Sequence, residues 1–155
     1  MPNDERNLET LPDGALGLIP LESCKELGLK VDKYLVGWRE KRQHQHASDL
    51  AFKDYRRDSY IISTAVPRFG TGEAKGVIKE SVRGYDLYLM VDVTNYSLTY
   101  SVCGHENHMS PDDHYADLKR IIAAVGGKAR RITVIIPFLF FFTFLHFRHL
   151  ITLRH

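Results

Sequence analysis

Cys103, His105, His108 and His114 lie within twelve residues, with Glu106, Asp112 and Asp113 among them. Thiolate, imidazole and carboxylate are the usual zinc ligands, so the C-x-H-x-x-H run over Cys103, His105 and His108 could close a small chelate. The spacing matches no standard zinc finger, and no second paired-cysteine motif accompanies it. The default reading of the same stretch is a solvated polar loop between a strand and a helix. No nucleophile and base can be paired from spacing alone.

Two glycine-containing stretches invite comparison with phosphate loops. Gly70-Thr-Gly-Glu-Ala-Lys-Gly76 fits neither G-x-G-x-x-G nor G-x-x-x-x-G-K-[ST], and strand patterns flank it where a phosphate loop would open a helix. Gly126-Gly127-Lys128 follows a helical stripe, at the dipole end that repels phosphate, and reads as a stop signal. Residues 39–58 are rich in Lys, Arg and His, as a phosphate-binding arm would be. Asp49, Asp54 and Asp58 are interspersed there, which favours a solvated helix or linker over a nucleic-acid site.

The elements that must position these groups are well punctuated. Residues 1–13 read as a polar leader, and 15–20 (ALGLIP) as a buried strand. Ser23 and Glu26 have the spacing of a capping box, and Cys24, Leu27, Val31, Leu35 and Trp38 then recur at helical spacing, which makes Cys24 a small core residue. From Tyr60 the residues become β-branched and aromatic (YIISTAV), Pro67–Glu73 supplies a turn, and 76–80 returns as a second strand. Ser81–Gly84 makes another turn, and 85–93 (YDLYLMVDV) is a strong strand. Ser110 caps a helix opened by Pro111, Asp112 and Asp113, with an apolar stripe of Tyr115, Leu118, Ile121, Ile122 and Val125 that ends at Gly126. The apolar run 132–136 (ITVII) suits a strand covered on both faces. Strand, helix and strand over 85–136 form a βαβ unit, so the fold class is α/β with a mostly parallel sheet.

The chain has 155 residues, enough for one ordinary domain. Its 21 Lys and Arg against 19 Asp and Glu give a net charge of +2, too small for a dedicated nucleic-acid binder. Two cysteines cannot build a disulfide scaffold. The polar opening MPNDERNLETLPD carries no secretory signal, and a cytoplasmic location is expected. The apolar run 132–145 (ITVIIPFLFFFTFL) is shorter than the ~20 residues of a membrane-spanning helix and contains Pro137, which argues against a membrane anchor.

Val66-Pro-Arg-Phe-Gly-Thr-Gly-Glu73, followed by Glu80-Ser-Val-Arg-Gly-Tyr-Asp86, resembles the ribose-phosphate pyrophosphokinases (phosphoribosyl pyrophosphate synthetases). That family carries an F-S-D-G-E loop and then an E-S-[VI]-R-G-x-D segment leading into a strand. The likeness extends through Pro111 and its helix to Lys128-Ala-Arg-Arg-Ile-Thr-Val-Ile-Ile-Pro-Phe138, where the family reads K-R-I-T-x-[VI]-I-P-[YF]. It covers most of 14–138, with 39–59 and 94–110 as insertions. The resemblance implies a phosphoribosyltransferase-like three-layer domain, one half of a two-domain enzyme. Such an enzyme uses magnesium and transfers the β,γ-pyrophosphoryl group of ATP to the C1 hydroxyl of ribose 5-phosphate, for nucleotide biosynthesis. By position, Phe69 stacks on adenine, Glu73 belongs to its polar recognition, and Thr71 stands where the family has aspartate. The family's loop usually reaches into a neighbouring subunit's active site, so self-association or pairing with full-length homologous subunits is implied.

The departures are as specific. After Phe138 the sequence reads LFFFTFLHFRHLITLRH, without the R-Q pair that contacts ATP or the catalytic loop that follows it. The D-D-x-x-x-T-G-G-T ribose-phosphate loop is also missing, since Asp112-Asp113 opens a helix and no T-G-G-T follows. The expectation is a truncated or frame-shifted family half with a foreign aromatic tail over 139–155. Such a chain is inactive alone, or serves as a non-catalytic regulatory or oligomerisation partner of the full-length enzyme. No catalytic residue is assigned, and the metal candidates remain Cys103, His105 and His108.

Overall fold

The computed structural model describes residues 14–45, 57–138 and 150–154. The chain opens with β1 (Leu16–Pro20), a single 3-10 turn over Glu22–Cys24 and the long helix α1 (Lys25–Gln45). Short strands β2 (Thr64–Ala65) and β3 (Val77–Ile78) form a hairpin, and β4 (Asp86–Met90) returns to the main sheet. A second hairpin, β5 (Thr99–Val102) with β6 (His105–His108), precedes helix α2 (Pro111–Val125), β7 (Arg131–Ile135) and β8 (Leu150–Arg154).

The main sheet runs β1-β4-β7-β8. Its first three strands are parallel, with Leu16 opposite Asp86 and Asp86 opposite Arg131, and β8 adds an antiparallel edge. The predicted α/β class is what the structure shows, including the βαβ unit of β4, α2 and β7. Because side chains alternate across a strand, each apolar strand feeds two cores. Ile19, Leu87, Leu89, Ile132 and Val134 meet Leu118, Ile121 and Val125 of α2, whereas Leu18, Met90, Tyr88 and Ile135 pack with Cys24 and Val31 of the α1 region. Among the described residues, no helix is long and apolar enough to cross a membrane.

Several local expectations are corrected. Ser23 does not form a capping box: Leu21 precedes the helical turn without a side-chain cap, and Ser23 Oγ instead accepts the Asp92 N–H at 3.0 Å. The predicted apolar face of α1 is rotated, leaving Leu27 and Trp38 exposed. Gly28 is buried against Pro20, where a Cβ would lie 2.3 Å from the proline Cβ, and Asp32 is buried by bonds to Ser59 and Tyr60. Close approach at one residue and polar satisfaction at the other set the helix face, overriding apolar spacing. Residues 60–66 are not one strand. Ile61 bridges Leu18 in parallel, and only Thr64–Ala65 pairs further. The polar stretch from Cys103, read by default as a solvated loop, supplies strand β6 of the β5–β6 hairpin, which lies within the 94–110 insertion. The expected leader 1–13, residues 46–56 of the basic stretch and the aromatic run 139–149 lie outside the described residues.

Candidate functional site

The Pro67–Glu73 turn is the tip of the β2–β3 hairpin. Thr64 pairs with Ile78 and Ala65 with Val77, and Arg68 bridges Ala74 nearer the tip. The Phe69 N–H donates to the Glu73 carbonyl at 2.7 Å, the Gly72 N–H to the Phe69 carbonyl at 2.9 Å, and the Lys75 N–H to the Pro67 carbonyl at 3.1 Å. Gly72 has φ +90°, which a residue with a Cβ adopts only under strain. The turn leaves the Phe69 side chain 53% exposed, and Thr71 and Glu73 are exposed beside it. An aromatic ring held out by a bonded turn offers a face on which another ring can stack.

Behind the tip, polar groups converge that sequence reasoning did not single out. The Arg68 guanidinium lies over the Tyr100 ring, 4.1 Å from its centroid, and Nη2 donates to Asp117 Oδ2 at 3.0 Å. Arg120 Nη1 donates to the other Asp117 oxygen at 2.7 Å. Burial pushes the Asp117 carboxyl above its ordinary value, and Arg68 and Arg120 oppose that shift. Arg68, Tyr100 and Asp117, with Thr64, Ser23 and the buried His114, line a cavity of about 460 Å³ beyond the carboxyl end of β1. Ligands of open α/β sheets bind at such strand ends. Phe69, Thr71 and Glu73 are outside this cavity's lining, so the sequence-predicted residues and the largely buried cluster form two adjoining features.

The candidate chelate residues are distributed over the second hairpin. Cys103 and Gly104 form its two-residue turn, both with positive φ, as type I′ requires. His105 and His108 occupy opposite ends of β6, and their odd spacing puts them on opposite faces. His108 stacks on Tyr96 with centroids 4.5 Å apart, and its Nδ1 is 2.9 Å from the Tyr96 carbonyl. His114 is buried on α2 and bonds the Asn95 carbonyl through Nε2 at 2.8 Å. Among the described residues, no three His, Cys, Asp or Glu side chains are grouped to hold a metal ion. The tip of this hairpin braces the Phe69 loop instead: the Cys103 N–H donates to the Gly70 carbonyl at 2.9 Å.

Compared with known families, the chain matches the model described as the N-terminal domain of ribose phosphate pyrophosphokinase, over residues 16–143. The chain belongs to this family. The match takes in both cores, the Phe69 loop, both hairpins and α2, and it ends within the aromatic run. No curated protein matches the chain. In this ribose phosphate pyrophosphokinase N-terminal domain, the stretch 94–110 is the brace behind the phenylalanine loop. The available signals for the missed cluster were the basic residue next to Phe69 and the acid at the seventh position of α2. Neither shows from sequence that the two meet.

Proposed function

We propose that this chain supplies the adenine-recognising phenylalanine loop of a ribose-phosphate pyrophosphokinase. In that reaction the C1 hydroxyl oxygen of ribose 5-phosphate attacks the β-phosphorus of ATP. The bond from that phosphorus to the α–β bridging oxygen breaks, AMP leaves, and the hydroxyl proton is released. Phe69 stacks on the adenine, and Thr71 and Glu73 at the same tip meet its polar edge. The observation that carries this reading is the exposed Phe69 ring on a turn closed by three backbone hydrogen bonds.

The chain alone does not turn over substrate in this reading. Pyrophosphoryl transfer depends on neutralising the developing charge and aligning the nucleophile. The R-Q pair and the T-G-G-T loop that resemblance would bring to those tasks are not in this sequence. Magnesium is usually held by one or two carboxylates together with substrate phosphates, so in this reading it enters with the ATP, and no side chain of this chain is assigned to it. The test is ATP binding by calorimetry, beside AMP release from ATP, ribose 5-phosphate and magnesium. The reading expects measurable binding that weakens about fivefold or more in Phe69→Ala, since a base–aromatic stack contributes ~1–3 kcal/mol, and no AMP release. Unchanged binding in the variant rejects the adenine contact. Phe69-dependent AMP release rejects inactivity.

One observation favours the second reading, a non-catalytic partner of homologous subunits. Leu27, Tyr34 and Trp38 are exposed along α1, and Phe69 is exposed on the hairpin. Co-sedimentation with a full-length homologous enzyme would support it, and a chain that stays apart at all concentrations would reject it.

A further inference from the structure

The three backbone bonds inside the Phe69 loop give it a shape but do not set its direction relative to the domain. Its stem is only two residues per strand, too short for a hairpin to hold itself. Direction must come from contacts with other elements, and one lies at the stem. Gly76 abuts α2 so closely that a Cβ would sit 2.3 Å from the Arg120 carbonyl oxygen. The other contacts are at the tip, where Arg68 turns inward while its neighbour Phe69 is exposed.

We propose that Arg68 is the positioning residue of the phenylalanine loop, joining it to α2 through Asp117 and to the second hairpin through Tyr100, so that Phe69 is presented in one direction. The Arg68 and Asp117 side chains are only 11% and 12% exposed, so their ion pair is little screened by water. A planar guanidinium can stack on an aromatic face while donating in its own plane, a combination that a lysine ammonium does not offer. Asp117 is held on its far side by Arg120, which makes it a fixed acceptor. The Cys103 N–H on the Gly70 carbonyl adds a second tie from the same hairpin. Arg68 is engaged by Asp117 and Tyr100. It acts through Phe69.

The exchange arm of the test does not depend on nucleotide binding, whereas the ligand arm rests on the function proposed above. In Arg68→Ala, backbone amides of residues 69–75 and of Cys103 should exchange roughly tenfold to a hundredfold faster, the range for losing a charge-assisted bond. The amides of β4 should keep their protection. Arg68→Lys should resemble the alanine variant, because charge alone does not restore the stack. If Arg68→Ala does not fold, Tyr100→Leu should loosen the same amides while leaving the ion pair. Unchanged loop exchange in a folded variant overturns the inference, as does equal loss of protection in loop and sheet. With ATP as probe, Arg68→Ala should weaken binding as Phe69→Ala does, and wild-type affinity in Arg68→Ala also overturns it. If the wild-type chain binds no ATP, the reading of Phe69 fails and the exchange data alone decide the role of Arg68.

Discussion

The Asp32 carboxylate on α1 accepts the Tyr60 backbone N–H at 2.7 Å and, through its other oxygen, the Ser59 hydroxyl at 2.8 Å. Tyr60 is 1% exposed, and its carbonyl accepts the Leu18 N–H, so this carboxylate ties α1 to the chain beside β1. Asp32→Ala removes both bonds and leaves a buried N–H without its acceptor. The expected loss is ~2–3 kcal/mol, the usual penalty for an unsatisfied buried group plus a lost bond to a charge. Urea unfolding should show a lower midpoint at an unchanged slope, and a loss below about 0.5 kcal/mol would contradict this role.

Two glycines should respond in opposite directions to the same added methyl. At Gly76 a Cβ meets the Arg120 carbonyl oxygen at 2.3 Å and its carbonyl carbon at 2.6 Å, and backbone cannot swing aside as a side chain end can. Gly76→Ala should therefore destabilise by ~1–3 kcal/mol or more through overpacking. At Gly37, inside α1, nothing lies within 4 Å of the added carbon. Gly37→Ala should stabilise by up to ~1 kcal/mol, the helix-propensity difference. Paired melting curves check both signs, and a shift in the same direction for both refutes the steric account.

What was legible in the sequence was what its own neighbourhood decides. Ser110, Pro111 and Asp113 start α2 and Gly126 ends it with φ +59°, because caps are satisfied within a few residues. Ser23 has the same capping chemistry and was misread, since its oxygen is used by Asp92, 69 residues away. Leu27 and Trp38 fit an apolar stripe, yet the buried side of α1 carries Gly28 and Asp32, whose partners come from other segments. The β5–β6 hairpin went unread because β6 is exposed throughout and has no apolar alternation to betray it. The turn that carries Phe69 was legible from its proline and two glycines. Arg68 was not, because its meaning lies in Asp117 and Tyr100, which only the fold brings to it.

Acid should weaken the start of α2. Burial tends to raise the Asp113 carboxyl, but the Ser110 hydroxyl and N–H, at 2.7 and 2.9 Å, together with the Arg68 charge and the Tyr100 hydroxyl, outweigh it and hold the group below its ordinary value. A carboxyl whose folded value is depressed stabilises the fold fully above its unfolded value, and that contribution disappears as pH falls through the folded one. Asp117 runs the other way, because its carboxyl is raised, so its ionisation opposes folding as pH rises through the carboxylate range. Asp113→Asn should lose ~1 kcal/mol at neutral pH, typical of a cap, and converge on wild type in acid. A stability difference that does not shrink on acidification would rule out the ionised cap.

The two thiols should separate cleanly by reactivity. Cys24 is 4% exposed beneath the start of α1, and burial, with Asp92 nearby, pushes its thiol up to about 11. The nucleophile is the thiolate, so at pH 8 Cys24 is both shielded and protonated. Cys103 is exposed at the tip of the second hairpin. Iodoacetamide should add one carbamidomethyl group to the native chain and two after unfolding in urea, read by intact mass. Cys103→Ser should abolish native labelling. Native modification of Cys24 at a comparable rate would mean that the core beneath α1 opens far more often than its packing with Leu18 and Met90 allows.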